Sequence, residues 1–110
     1  MDDLRGLKCV PCSGDVPPLD ELQIALLKPQ VPEWEVIEVD GIKRLRRVFK
    51  TKNFAEALAF TNRVGALAEE EDHHPMLVTE WGRVTVTWWT HKIKGLHTND
   101  FIMAAKTNEL

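Results

Sequence analysis

The sequence predicts a chain that mixes helices with antiparallel strands: a short helix, a hairpin, a long helix, a second hairpin and a last helix. Three observations carry that order. Asp40-Gly41 separates two strand-like runs, and Asp-Gly is a preferred pair for a two-residue type I′ turn. Asn53, with Glu56 three positions on, is a helix start, and Pro75 closes the long run that follows. Val84 to His91 alternates, with Val84, Val86, Trp88 and Thr90 on one face and Thr85, Thr87, Trp89 and His91 on the other.

The elements follow in chain order. Residues 1–18 hold Gly6, Pro11, Gly14, Pro17 and Pro18 and read as an irregular segment ahead of one domain over 19–110. Both cysteines, Cys9 and Cys12, lie in this segment. Their spacing suits a zinc knuckle or a redox pair, but no second ligand pair and no strand–helix context accompany them, so the expectation is a reduced thiol pair. Leu19, Leu22 and Leu26, with Leu27 beside them, form the apolar stripe of a short helix bounded by Pro17-Pro18 and by Pro29 and Pro32. Trp34 to Val39 and Ile42 to Lys50 make the first hairpin. The second strand is basic (Lys43, Arg44, Arg46, Arg47, Lys50) and reads as a solvated outer face or a charge-guarded edge, not as a nucleic-acid patch. The long helix is expected over Phe54 to Glu71, with Phe54, Ala57, Leu58, Val64 and Ala68 recurring at helical spacing as its apolar stripe and Phe60 and Leu67 widening it. Leu77 to Thr79 and Val84 to His91 make the second hairpin around Glu80-Trp81-Gly82, and Thr98 caps the last helix.

Composition narrows the function. The chain has 110 residues, 44% hydrophobic and 28% charged, with a formal net charge of −3. That suits one domain with a real core. It does not suit a nucleic-acid binder. No apolar run is long enough for a membrane span, and the N-terminus lacks a signal-peptide layout, so the expected location is cytoplasmic.

The chemistry concentrates between Glu69 and Asp100. Histidine changes charge near neutral pH, and His73, His74 and His91 all fall in this stretch, with Glu69 ahead of the pair and Asp100 after His91. Glu69, Glu70, Glu71 and Asp72 crowd a helix C-terminus, the end that favours cations. Glu70 and Glu71 read as a solvated helix end. Glu69 is one turn before His73 and could hold that imidazole. Asp100, in the first turn of a helix, is favoured as a carboxylate and could orient an imidazole. His97 has no such partner in sequence and reads as a surface residue. Adjacent histidines with no His-x-His or His-x-x-x-His pattern argue against a metal site. No serine or cysteine is placed as a nucleophile, and no glycine-rich phosphate loop exists. Acid–base work on a small ligand remains, with no metal and no cofactor.

The set Glu69, His73-His74-Pro75, Trp81, His91 and Asp100 closely resembles the signature of the pterin-4a-carbinolamine dehydratase family. Trp34 opening the first strand, Lys94-Gly95-Leu96 before Asn99-Asp100-Phe101, and a Cys9 to Pro18 preamble like that of bacterial members extend the likeness. The resemblance implies an α+β fold, with a four-stranded antiparallel sheet and three helices on one face. It implies dehydration of 4a-hydroxytetrahydrobiopterin to quinonoid dihydropterin, recycling the pterin cofactor of aromatic amino acid hydroxylation. It makes His73 and His91 the acid and base, which is which being left open, and gives His74 a binding and assisting role. Glu69 and Asp100 orient and tune the imidazoles. Pro75 fixes the loop at the substrate pocket, and Trp81 is a wall of that pocket or a core residue. It also implies a homodimer or homotetramer and a functional link to an aromatic amino acid hydroxylase. Two other roles stay open: a non-catalytic dimerisation or regulatory binding partner with this fold, and a place in molybdopterin metabolism.

Overall fold

Asp40 and Gly41 have φ values of 53° and 78°, the two left-handed residues a type I′ turn requires. They join β1 (Glu35–Val39) to β2 (Ile42–Lys50) with Val39 opposite Ile42. A long helix, α2 (Phe54–Glu71), then carries the chain to the second hairpin, β3 (Met76–Glu80) and β4 (Arg83–Trp88). β4 pairs with β2, so the strand order is β1-β2-β4-β3, antiparallel throughout. The computed structural model describes residues 3–11 and 14–110; Cys12, one half of the expected thiol pair, lies outside them.

The alternation read in β4 is the one the sheet uses. Val84, Val86 and Trp88 are buried on the inner face with Leu45 of β2. Against them pack Ala57, Phe60, Val64 and Ala68 of α2 and the apolar face of α3 (Thr98–Thr107), while α1 (Glu21–Leu27) adds Ile24 to the same core. The result is the expected α+β arrangement of a four-stranded antiparallel sheet and three helices. Among the described residues no helix is long and apolar enough to cross a membrane.

Several local expectations are corrected. Leu22 and Leu26 of α1 are exposed, and Ile24 points inward instead. Asp20 and Gln23 form a capping box that starts the helix at Glu21, and a 3-10 turn over Lys28–Gln30 ends it. Over so few turns, leucine spacing alone does not fix the buried face. Phe54 and Leu58 of α2 are likewise half exposed. β2 is an interior strand, so its cations guard no edge. Arg46 bonds Glu35 directly across the hairpin at 2.8 Å, Arg44 lies 4.0 Å over the Trp89 ring, and Arg47 reaches inward to Asn108 Oδ1 at 2.6 Å. The same Oδ1 accepts the indole N–H of buried Trp34 at 2.8 Å.

β4 also stops earlier than expected. Thr90 makes an isolated bridge to Gly95, and His91–Ile93 forms a 3-10 turn. A Cβ on Gly95 would lie 2.7 Å from Pro18 Cβ, in a ring that cannot swing away. Gly95→Ala is expected to lower the unfolding free energy by about 1–3 kcal/mol, read from urea denaturation. An unchanged midpoint would show that Pro18 yields freely.

Candidate active site

The end of α2 begins the site. Asp72 caps the helix in the left-handed conformation (φ 50°), and its N–H bonds the carbonyls of Ala68 and Glu69. A non-glycine residue there carries backbone strain, a feature that clusters at functional positions. The next residue, His73, returns its N–H to the Ala68 carbonyl at 3.1 Å, and the chain then leaves for Pro75 and β3. That sharp exit carries Asp72, His73 and His74 to one side of a cavity of ≈ 470 Å³. Thr90, His91 and Lys92, just beyond β4, line it as well.

His73 is the best-held imidazole. Its Nε2 lies 2.6 Å from Asp100 Oδ1, with the histidine side chain 11% exposed and the carboxylate fully buried. Its ring lies parallel to the Trp88 indole, centroids 5.8 Å apart and planes 13° apart. The other carboxylate oxygen of Asp100 accepts the Thr90 hydroxyl at 2.8 Å and the His97 backbone N–H at 2.9 Å. A carboxylate only accepts, so the proton on the His73 bond belongs to Nε2 and the lone pair to Nδ1. The arrangement is an aspartate that sets an imidazole's tautomer and can stabilise its cation.

The other two histidines are freer. His74 Nε2 meets Glu69 Oε2 at 2.5 Å, both side chains being more than half exposed, so the pair is weak as an ion pair in water. His91 is exposed and rests against Trp89, ring centroids 4.6 Å apart. It makes no side-chain hydrogen bond among the described residues.

Set against the residues singled out in the sequence, His73, His74 and His91 share the cavity. Glu69 pairs with His74 and not with His73, because the left-handed Asp72 breaks the helical register between them. Pro75 is half-buried and does not line the cavity. Trp81 is 74% exposed at the β3–β4 turn, neither wall nor core in the single chain. Glu71 is no solvated helix end: its side chain is 4% exposed, and its Oε1 accepts the Cys9 N–H at 3.0 Å. Its place as the last residue of α2, inside a run of four acids, was the available signal. Cys9 is a free thiol at the cavity, pushed up to about 12 by burial first and then by the Glu71 and Asp100 charges. Thr90 and Asn99 were not singled out; both precede or flank a motif position and both are buried. Among the described residues no group of three or more His, Cys, Asp or Glu side chains is placed to hold a metal ion.

A small α+β domain with a histidine-lined acid–base cavity is the class these features define. The model of the family described as pterin 4 alpha carbinolamine dehydratase matches residues 17–110. A protein of Nitrosococcus oceani named "Putative pterin-4-alpha-carbinolamine dehydratase" is 62% identical over all of this chain and 97% of the relative. One of the same name from Chlorobium limicola is 57% identical over the same shares. The crystal structure of a transcriptional coactivator/pterin dehydratase from Brucella melitensis superposes with a TM-score of 0.74 at 34% identity, covering 84% of this chain and 96% of that one. The chain belongs to the pterin-4a-carbinolamine dehydratase family, an enzyme family of hydro-lyases.

His97, read from sequence as a surface residue, caps α3. Its Nδ1 accepts the Asn99 N–H at 2.9 Å while its own N–H is held by Asp100. Only a neutral imidazole can accept that bond. Burial lowers its pKa from the ordinary 6.5, with His73 adding to the effect and Asp100 opposing it. Below the unfolded-state value the unfolded chain therefore binds a proton that the folded chain does not. The contribution of His97 to stability is full above that value and is lost as pH falls through it towards the lower folded value. His97→Asn retains a cap acceptor and removes the titration, so its stability is expected to change less than wild type between about pH 7 and pH 5. Parallel urea curves at the two pH values check this; equal slopes for the two proteins would contradict it.

Proposed function

We propose that this chain dehydrates 4a-hydroxytetrahydrobiopterin to quinonoid dihydropterin and water by histidine general acid–base catalysis. Family membership supports the reaction class. The observation that carries the mechanism is the gathering of three imidazoles on one cavity, one of them locked to a buried carboxylate. The volume is that of a small-molecule site.

The reaction asks for two proton movements. The 4a-hydroxyl leaves as water after gaining a proton, N5 loses its proton, and the C4a–N5 bond becomes double. His73, with Nε2 committed to Asp100, takes the N5 proton on Nδ1, and Asp100 stabilises the resulting imidazolium. His91, bound to no carboxylate among the described residues, delivers a proton to the leaving hydroxyl and recovers one from solvent. His74, paired with Glu69, binds the pterin beside them. Trp88 beneath His73 keeps that ring from turning. Pro75 holds the histidine loop. The product of this step is the oxidised pterin that aromatic amino acid hydroxylation leaves to be reduced, which places the chain in pterin recycling.

A homodimer or homotetramer belongs to the same proposal. The outer edges of β1 and β3 are open to pairing with a second copy. A second reading, a regulatory binding partner, is favoured by one observation: Phe54 and Leu58, one turn apart on α2, are each 47% exposed.

Quinonoid dihydropterin formation from freshly generated 4a-hydroxytetrahydropterin is the test, against a buffer blank. Acceleration by wild type is expected, with His73→Ala and His91→Ala each losing about 10²–10⁴-fold in kcat. Folded variants that keep the wild-type rate would sink the mechanism. No acceleration by wild type would favour the binding-partner reading.

A further inference from the structure

Residues 4–11 precede the stretch matched by the family model, which begins at residue 17. Three of them nevertheless form one side of the cavity: Cys9, Val10 and Pro11. Two buried side chains hold this strap from beneath. Asn99 clasps Val10 as one strand holds another: its Oδ1 accepts the Val10 N–H at 3.0 Å, and its Nδ2 donates to the Val10 carbonyl at 2.8 Å. Asn99 is 2% exposed, so leaving either bond unmade is costly. Glu71, at the end of α2, takes the Cys9 N–H on Oε1 at 3.0 Å, and Lys8 lies 3.7 Å from its Oε2. Further back, Leu4 is sunk in the core and Lys106 of α3 donates to the Arg5 carbonyl at 3.2 Å.

We infer that Cys9, Val10 and Pro11, carried on the strap of residues 4–11, are a substrate-binding wall of the cavity and that Glu71 and Asn99 are positioning residues that dock it. The wall differs in chemistry from the side that carries the histidines. Val10 and Pro11 are apolar, and the Cys9 thiol is kept protonated by burial and by the Glu71 carboxylate. Such a surface moves no proton. It covers the substrate and favours ligands with an apolar portion beyond the reacting ring, so it acts on KM and not on kcat. Glu71 and Asn99 themselves flank the catalytic pairs: Glu71 is two residues before His73, and Asn99 immediately precedes Asp100. The same two chain turns therefore set both the proton-transfer side and the opposing wall.

The inference rests on the dehydratase reading for its kinetic half, and on binding and amide exchange for the rest. Wild type, Asn99→Leu, Glu71→Ala and Glu71→Gln are compared in three measurements. These are turnover of 4a-hydroxytetrahydrobiopterin, equilibrium binding of a non-reacting 7,8-dihydropterin, and exchange of the Cys9 and Val10 amides by NMR. Asn99→Leu and Glu71→Ala are expected to raise KM and Kd about 5- to 50-fold with kcat within about twofold, and to speed exchange of the amide each holds at least about tenfold. Glu71→Gln retains the acceptor for Cys9 and is expected to stay near wild type. Val10→Asp leaves both clasps intact, since they use the backbone of Val10 and of Cys9, and charges the wall directly; it is expected to raise KM alike, and it decides the matter if Asn99→Leu does not fold. Faster exchange with unchanged KM and Kd would overturn the wall. Unchanged exchange would overturn the clasp. A wild type that binds the dihydropterin without turnover sinks the dehydratase reading alone, and the wall then stands or falls on Kd; a wild type that does neither sinks both.

Discussion

The buried Asp100 carboxylate at the start of α3 is the constraint on which the site depends. It has no exposed surface, and a carboxylate in that position is costly unless hydrogen-bonded. It meets that demand with groups from three parts of the chain: the Thr90 hydroxyl beyond β4, the His97 N–H at the α3 cap, and His73 beyond α2. Removing any one leaves part of the charge unanswered. The need to satisfy one carboxylate thus fixes the ends of three elements around a single point, and the cavity opens where they meet.

The fold supplies the rest of the support. Trp88 closes the inner face of β4 and is also the floor under the His73 ring. β4 cannot run on past Trp88, because Thr90 bridges Gly95 and the chain folds into a 3-10 turn. That early stop brings His91 to the cavity and not onto the open sheet face. The left-handed Asp72 does the same work at the other side, ending α2 abruptly so that consecutive histidines take different partners, one a buried aspartate and one a surface glutamate. Imidazoles in such different surroundings are suited to different proton-transfer tasks.

Much of this was legible in the sequence, for identifiable reasons. Asp40-Gly41, Asn53 and the alternation of β4 are short-range signals, and each appears in the structure where local chemistry placed it. The four-stranded sheet and the α+β class followed from the family likeness. What was not legible depends on contacts distant in sequence. Glu69 one turn before His73 suggested a pair, but a single left-handed residue redirected it to His74. His97 looked idle because histidine is an uncommon N-cap, and its role appears only once Asp100 reaches back to it. Glu71 looked solvated because its partner, the Cys9 amide, lies 62 positions away. The α1 leucines misled because a helix of seven residues offers too few turns for spacing to choose a face.

If Asp100 holds His73 in the tautomer and position that proton transfer needs, removing the Asp100 charge slows dehydration. The most direct measurement is kcat for 4a-hydroxytetrahydrobiopterin dehydration by Asp100→Asn, with the His73 ring 15N shifts recorded on the same sample. The substitution preserves shape and removes the charge. A drop of at least about 100-fold in kcat, together with a changed His73 ring signal in a folded protein, is the result this account expects. A folded Asp100→Asn protein that turns over at the wild-type rate would contradict it.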